Sequence, residues 1–127
     1  SAYPMTYLPL AARICLALIF LNAGVKHLLG FQSFVPTIAS KGLPLPQVLA
    51  IGAIACLLLG SVSLILGYQA KLGAVLLILF LIPTTLFFHP VATDLTSFLK
   101  NLALIGGLLM VVSYGPGLVS VDGSSSR

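Results

Sequence analysis

Four long apolar segments constrain this chain more than any other feature of its sequence. They cover residues 8–29, 48–68, 72–88 and 95–114, and they carry few charged side chains. A helix needs about 20 predominantly apolar residues to cross the hydrocarbon core of a bilayer. The sequence therefore predicts an all-α fold, a four-helix transmembrane bundle. The bundle is expected to form a single membrane domain, with a polar tail at residues 115–127.

The composition supports a membrane protein and excludes several other classes. Of the 127 residues, 59% are hydrophobic and 6% are charged, and the mean hydropathy is +1.18. Ordinary globular domains carry about 25% charged residues. The net charge of +4 comes from scattered residues, without a basic run or an aromatic-interleaved patch. The expected surroundings are therefore a lipid bilayer, and no nucleic-acid partner is indicated. No signal peptide is expected, because no basic region precedes a cleavage site.

The second apolar segment carries no charge, and its small residues are its most informative feature. Steps of four, four, three and four place five of them near one helix face, which predicts a ridge that makes the closest helix contact in the bundle. These residues are Gly52, Cys56, Gly60, Ser63 and Gly67. Leu58 is expected to face lipid. Gly106 and Gly107 are expected to let another helix approach the fourth segment. Cys15 and Cys56 fall at different membrane depths, so no disulfide is expected.

Most of the sparse polar side chains fall near one face of the membrane. If four helices run back and forth, the end of the first, the end of the third and the start of the fourth meet there. The candidate ligand-binding residues at this face are Asn22, Lys26, His27, His89, Asp94, Lys100 and Asn101. This group is net positive, which suits a quinone carbonyl, a small oxyanion or a lipid headgroup. We expect Lys26, His27, His89, Lys100 and Asn101 to surround a shallow pocket.

Lys100 lies just inside the fourth apolar segment and allows two interpretations. A charge at the edge of hydrocarbon is costly unless it reaches water or finds a partner. Because a helix N-terminus disfavours a nearby cation, Lys100 would need a carboxylate, a carbonyl or an anionic ligand, and Asp94 is the acid nearest in sequence. In the other interpretation Lys100 only marks the membrane surface. Thr93 or Asp94 is predicted to cap this helix.

A metal site and a structural role are the alternatives for the polar group. His27, His89 and Asp94 could form a facial triad of ligands, but nothing in their spacing requires it and no metal is expected. A polar staple that holds the loop ends together fits the pattern as well as a ligand site does. Near Pro83, Thr84 and Thr85 are expected to satisfy local backbone groups. No nucleophile and base are paired in the sequence, so no catalytic residue is assigned.

Several stretches together resemble the DoxX family of small four-helix membrane proteins. They are RICLALIFLNAGVKHLLGF, KGLPLP, GYQAKLGAVLLILFLIPTTLFFH and FLKNLALIGGLLMVV, and they extend from Leu10 to about Val112. The resemblance implies a four-helix bundle and a link to membrane redox systems, since the name-giving member is similar to a thiosulfate:quinone oxidoreductase subunit. Family members often carry a glutamate in the second helix. Here Ala55 and Cys56 occupy that region, which removes the most obvious buried proton-handling group.

Two hypotheses of function follow. The first is a non-catalytic accessory subunit of a larger respiratory or photosynthetic complex, with other membrane proteins as partners. The second is a redox component that binds a quinone or a sulfur oxyanion through Lys26, His27, His89 and Lys100, with a quinone as the candidate cofactor. A bacterial inner membrane, a thylakoid or another energy-transducing membrane is the expected location. An even number of spans predicts Ser1, Lys71 and Arg127 on one side, and the resemblance favours the inside.

Overall fold

A computed structural model of the protein describes residues 6–125, and Ser1 and Arg127 lie outside this range. The described chain is a bundle of α-helices. They are α1 (Leu8–Leu29), α2 (Phe31–Ala39), α3 (Pro46–Leu66), α4 (Ala70–Phe88), α5 (Leu95–Tyr114) and α6 (Val121–Ser125). Four of them, α1, α3, α4 and α5, are long and apolar enough to cross a membrane. The predicted four-helix transmembrane bundle is confirmed.

Proline and glycine set the ends of α3, which begins and ends two residues before the span expected at 48–68. Pro46 opens the helix, where its missing N–H group has no intrahelical partner to lose. Gly67 ends it with φ +69°, and the N–H groups of Gly67 and Tyr68 both donate to the carbonyl of Ser63. The following helix, α4, starts at Ala70 rather than at residue 72.

The four spanning helices pack in chain order and leave one side of the bundle open. α1 packs along α3, α3 along α4, and α4 along α5, whereas α1 and α5 touch only sparsely. We call the gap between α1 and α5 the seam. The short helix α2 lies across one end of the bundle against α3, with Ile38 buried and its other side chains at least partly exposed. One buried side and one exposed side make α2 amphipathic, as is typical of a helix that lies at a membrane surface.

Small residues allow α3 and α4 to approach closely near the middle of the bundle. A Cβ placed on Gly60 would lie 2.6 Å from Cγ of Leu77 and 3.0 Å from the carbonyl oxygen of Gly73. One placed on Gly73 would lie 2.5 Å from Cβ of Ser63. The surrounding core consists of small and aliphatic side chains with one phenylalanine: Ala17, Phe20, Leu57, Leu64, Ala70, Ala74, Leu77, Leu81, Leu108 and Val111.

The predicted ridge of small residues does not extend along the whole of α3. Gly52 is exposed, and a Cβ added there would meet nothing within 4 Å. An α-helix turns about 100° per residue, so Gly52 lies about 80° around the axis from Gly60 and faces away from α4. Cys56, between them, is half-buried, and both cysteines are free. Including Gly52 among the packing residues was therefore wrong.

Two further predictions about helix faces were also wrong. Leu58 does not face lipid, because it packs on α1, where a Cβ on Gly24 would lie 2.8 Å from Cδ2 of Leu58. Gly106 is exposed with open space around it, whereas Gly107 faces Leu16 of α1 at 3.0 Å from an added Cβ. Adjacent helical residues point about 100° apart, so only one glycine of the pair can face α1.

The segment after α5, which the sequence predicts as a polar tail, folds back onto the bundle as far as residue 125. A Cβ on Gly117 would lie 2.8 Å from Cβ of Pro9, and the Asp122 N–H donates to the carbonyl of Gly67. The carboxylate of Asp122 accepts from the N–H groups of Gln69 and Ala70 at 2.9 and 3.0 Å. It thereby satisfies backbone donors at the start of α4 that have no partner within the helix.

Candidate functional site

The turn between α4 and α5 holds a pair of polar side chains at one end of the bundle. Nδ1 of His89 lies 3.0 Å from Oδ2 of Asp94. Asp94 is also the N-cap of α5, and its Oδ1 accepts from the N–H of Ser97 at 3.3 Å. The hydrogen bond with His89, followed by those with Ser97, holds the pKa of Asp94 below its usual range. Of the two caps that the sequence allows, Thr93 and Asp94, the structure uses Asp94.

A second polar pair joins α4 to α5 inside the bundle. Asn101 is 4% exposed and Thr85 is 6% exposed. Nδ2 of Asn101 donates to Oγ1 of Thr85 at 3.0 Å. Thr85 therefore serves as a partner for the neighbouring helix, whereas the sequence predicted that it would satisfy local backbone groups. Asn101 is turned into the bundle and away from a shared surface pocket.

The remaining candidate residues of α1 lie on its outer side or against α2. The ring of His27 stacks on Phe34 of α2, with 3.9 Å between ring centroids and 13° between planes. Asn22 and Lys26 are both exposed, and neither side chain makes a hydrogen bond or an ion pair within residues 6–125. His27 is thus engaged by an aromatic ring, whereas Asn22 and Lys26 face outward.

Lys100 is exposed on α5 and is not paired with Asp94. Within residues 6–125 the only ion pair is that of His89 and Asp94. Asp94, the acid nearest to Lys100 in sequence, instead contacts His89 and caps α5. Another lysine at this end, Lys41, lies over the ring of Phe88 with Nζ 5.4 Å from its centroid. These positions fit a lysine that reaches the membrane surface along its own aliphatic chain.

Among residues 6–125 the most deeply buried charge lies at the opposite end of the bundle, and it is not one of the candidate residues predicted from the sequence. Arg13 of α1 is 1% exposed. Its Nη1 donates to the carbonyls of Leu64 at 2.8 Å and Ile65 at 3.3 Å, and Nη2 donates to the carbonyl of Val119. Its Nε is buried and has no hydrogen-bond partner among the described residues. The sequence feature that could have identified this site is an arginine near the start of an apolar helix.

The surroundings of Arg13 combine helix ends and the folded-back segment. Leu64 and Ile65 belong to the last turn of α3, whose free carbonyls carry partial negative charge. Asp122 is the nearby acid, but both of its oxygens serve the start of α4, and it makes no direct ion pair with Arg13. Arg13 therefore fastens α1 to α3 and to the C-terminal segment through carbonyl oxygens.

Two neighbouring cavities open at this same end. The first, of about 510 Å³, lies in the seam and is mostly apolar. Its lining includes Arg13, Leu16, Gly107, Met110 and Tyr114. The second, of about 570 Å³, is more polar, and its lining includes Gln69, Lys71 and Asp122. Tyr114 and Gly117 line both cavities. None of the seven polar residues selected from the sequence lines either one.

The described residues contain no group of three His, Cys, Asp or Glu side chains that could hold a metal ion. His27 and His89 have separate partners, Phe34 and Asp94 respectively. The polar groups at the α4–α5 turn cap a helix and join two helices, which is the arrangement of a structural staple.

Four apolar spanning helices around a sparse polar interior define this chain as an integral membrane protein. It belongs to the DoxX family, whose model matches residues 8–90 and so covers the first three spanning helices. The match ends before α5.

Named relatives come from a bacterium and an insect. The chain is 32% identical to inner membrane protein YphA of Escherichia coli over 121 residues, which cover 89% of this chain and 86% of that protein. It is 29% identical to inner membrane protein YqjF of the same organism over 119 residues, 89% of this chain and 88% of that protein. It is 35% identical to a Surfeit locus protein 4 homolog of Drosophila melanogaster over 129 residues, but spans 41% of that protein. No solved structure matches the chain.

Proposed function

We propose that the protein is a non-catalytic accessory subunit of a larger respiratory or photosynthetic membrane complex. In this proposal it packs against a second integral membrane protein through the outer face of α1. The observation that carries the proposal is the position of Asn22, an exposed amide within a spanning helix. The redox setting rests on the family resemblance alone.

An exposed asparagine at this depth is costly in lipid. α1 ends at Leu29, so Asn22 lies about 10 Å inside the helix end at 1.5 Å per residue. Unlike lysine, asparagine has too short a side chain to reach the membrane surface from there. Its donors and acceptor have no partner within residues 6–125. A hydrogen bond to a helix of another protein would satisfy them, and such bonds contribute about 1–2 kcal/mol in model membrane peptides.

The face that carries Asn22 is otherwise suited to helix packing. Cys15, Leu18, Asn22, Val25 and Leu29 follow one another at intervals of three and four residues, and all are exposed. Such spacing places them along a single stripe of the helix. Nine residues separate Asn22 from Arg13, which corresponds to about 180° of helix rotation. The proposed contact face of α1 therefore points away from Arg13 and the carbonyl groups that it binds.

The test compares Asn22→Leu with Leu79→Ala, a change on the exposed outer face of α4. The wild-type protein, purified in a mild detergent from its native membrane, is expected to migrate in a complex larger than itself. Asn22→Leu should release it from that complex while leaving its own melting temperature unchanged or slightly higher. Leu79→Ala should leave the complex intact. A cross-link from Cys15 to the partner would place the contact on this face.

Other outcomes would contradict the proposal. If Asn22→Leu stays in the complex, the α1 face is not the contact. If only a second copy of the chain is cross-linked, the protein is an oligomer of itself rather than an accessory subunit. If the purified protein retains a quinone that is lost in Lys100→Met, the alternative of a quinone-binding redox component is favoured instead.

A further inference from the structure

We propose that the seam between α1 and α5 binds an anionic phospholipid. Its negatively charged headgroup would lie between Arg13 and Lys71, and an acyl chain would lie along the apolar cleft. This site is at the opposite end of the bundle from the α4–α5 turn, and it does not depend on the accessory role proposed above.

The cleft has the dimensions and lining of a site for an apolar chain. Its volume of about 510 Å³ falls within the range of small-molecule pockets, which is about 300–1,000 Å³. Leu16, Met110 and Val111 supply apolar walls, and Leu16 packs closely on Gly107, which has no side chain. Since α1 and α5 touch only sparsely, the cleft can be entered sideways from the bilayer.

Arg13 is a cation at the wall of this apolar cleft, and one of its hydrogen-bond donors has no partner among residues 6–125. It is 1% exposed, it lines the cleft, and its Nε lacks a partner among residues 6–125. A buried donor without a partner is costly, and more so when the group is charged. Arg13 lies about 8 Å from the start of α1, near the depth of lipid ester groups.

The adjoining polar cavity favours a charged headgroup over a neutral ring. Lys71 lines this cavity, and Tyr114 and Gly117 separate it from the cleft. Asp122 also lines it, but its two oxygens already accept from Gln69 and Ala70. A quinone would satisfy the donor on Arg13 but would leave Lys71 unused. An anionic lipid matches both cations and the apolar cleft together.

The test measures lipid binding to the purified full-length protein by native mass spectrometry and thermal shift. Phosphatidylglycerol should bind and raise the melting temperature more than phosphatidylcholine with the same chains. Inorganic phosphate should not reproduce the effect, since the site requires an acyl chain. Lys71→Gln should weaken phosphatidylglycerol binding about fivefold, the effect of removing one lysine near a membrane surface. Lys41→Gln, at the other end of the bundle, should leave it unchanged.

A second pair of variants tests the cleft without touching Arg13, whose loss could prevent folding. Met110→Trp fills the cleft and should reduce phosphatidylglycerol binding, whereas Leu109→Trp, on an exposed position outside the cleft, should not. Equal binding of phosphatidylglycerol and phosphatidylcholine would overturn the proposal. So would unchanged binding in both Lys71→Gln and Met110→Trp, or displacement of the lipid by an equimolar quinone.

Discussion

Gly60 determines how closely α3 and α4 can approach. An added Cβ would lie 2.6 Å from Leu77, and the backbone of Gly73 is 3.0 Å away on the same side. Gly60→Leu should therefore force the two helices apart and lower the free energy of unfolding in detergent by about 1–3 kcal/mol or more. Gly52→Leu is the matched control, because nothing lies within 4 Å of its added Cβ. Equal losses of stability in the two variants would show that the close contact is not at Gly60.

Asp94 makes a pH-dependent contribution to the stability of the α4–α5 turn. Its hydrogen bonds with His89 and Ser97 keep its pKa low in the folded protein. The ionised carboxylate therefore stabilises the fold at neutral pH, and this contribution disappears as the pH falls through the folded-state pKa, below about pH 4.

Asp94→Asn isolates this effect, because asparagine is also a good N-cap but carries no charge. At neutral pH the variant should melt slightly below the wild type, since the site is largely open to solvent. The difference between the two proteins should shrink as the pH is lowered toward about 3. Melting curves followed by circular dichroism measure it. A constant difference across this range would mean that the charge of Asp94 does not contribute.

At the scale of whole helices, the hydrogen bond between Asn101 and Thr85 joins α4 to α5. Both side chains are buried, so losing either partner leaves the other unsatisfied. Measured couplings between such groups in membrane proteins average about 0.6 kcal/mol and reach about 1.7 kcal/mol. A double-mutant cycle of Asn101→Ala and Thr85→Ala should give a coupling in this range. The half-exposed Thr84 supplies the control: Thr84→Ala and Asn101→Ala should be additive.

The helices were easier to predict than the faces they turn toward one another. The length of each apolar segment identifies the spanning helices in the sequence. Several helix ends are marked by single residues, namely Pro46, Gly67 and Asp94. The direction in which each residue points is harder to predict. Steps of four residues drift by about 40° each, which misplaced Gly52, and Gly106 points about 100° away from its neighbour Gly107. The sequence also paired Lys100 with Asp94 on proximity alone, whereas His89 takes that carboxylate.

At the scale of the whole molecule, the candidate site predicted from the sequence lies at one end of the bundle. Arg13, the most buried charge among residues 6–125, lies at the other end. Arg13 was visible as an unusual residue in an apolar helix. Its partners are carbonyl oxygens of Leu64, Ile65 and Val119, which any residue type could provide, so composition gives no sign of them. The cavities beside Arg13 could not be predicted either, because they depend on how far α1 and α5 stay apart.

The arrangement of the two bundle ends leads to a prediction about membrane topology. Pro9 contacts Gly117, and Asp122 bonds to the α3–α4 turn, so these residues lie together at one end. Lys41 lies over Phe88 and close to the α4–α5 turn at the other. In a variant without Cys15 and Cys56, single cysteines at Lys71 and Ser120 should react with an impermeant maleimide from one side of the membrane. Cysteines at Ser40 and Thr93 should react from the opposite side. Labelling of the Lys71 and Thr93 positions from the same side would contradict the four-span topology.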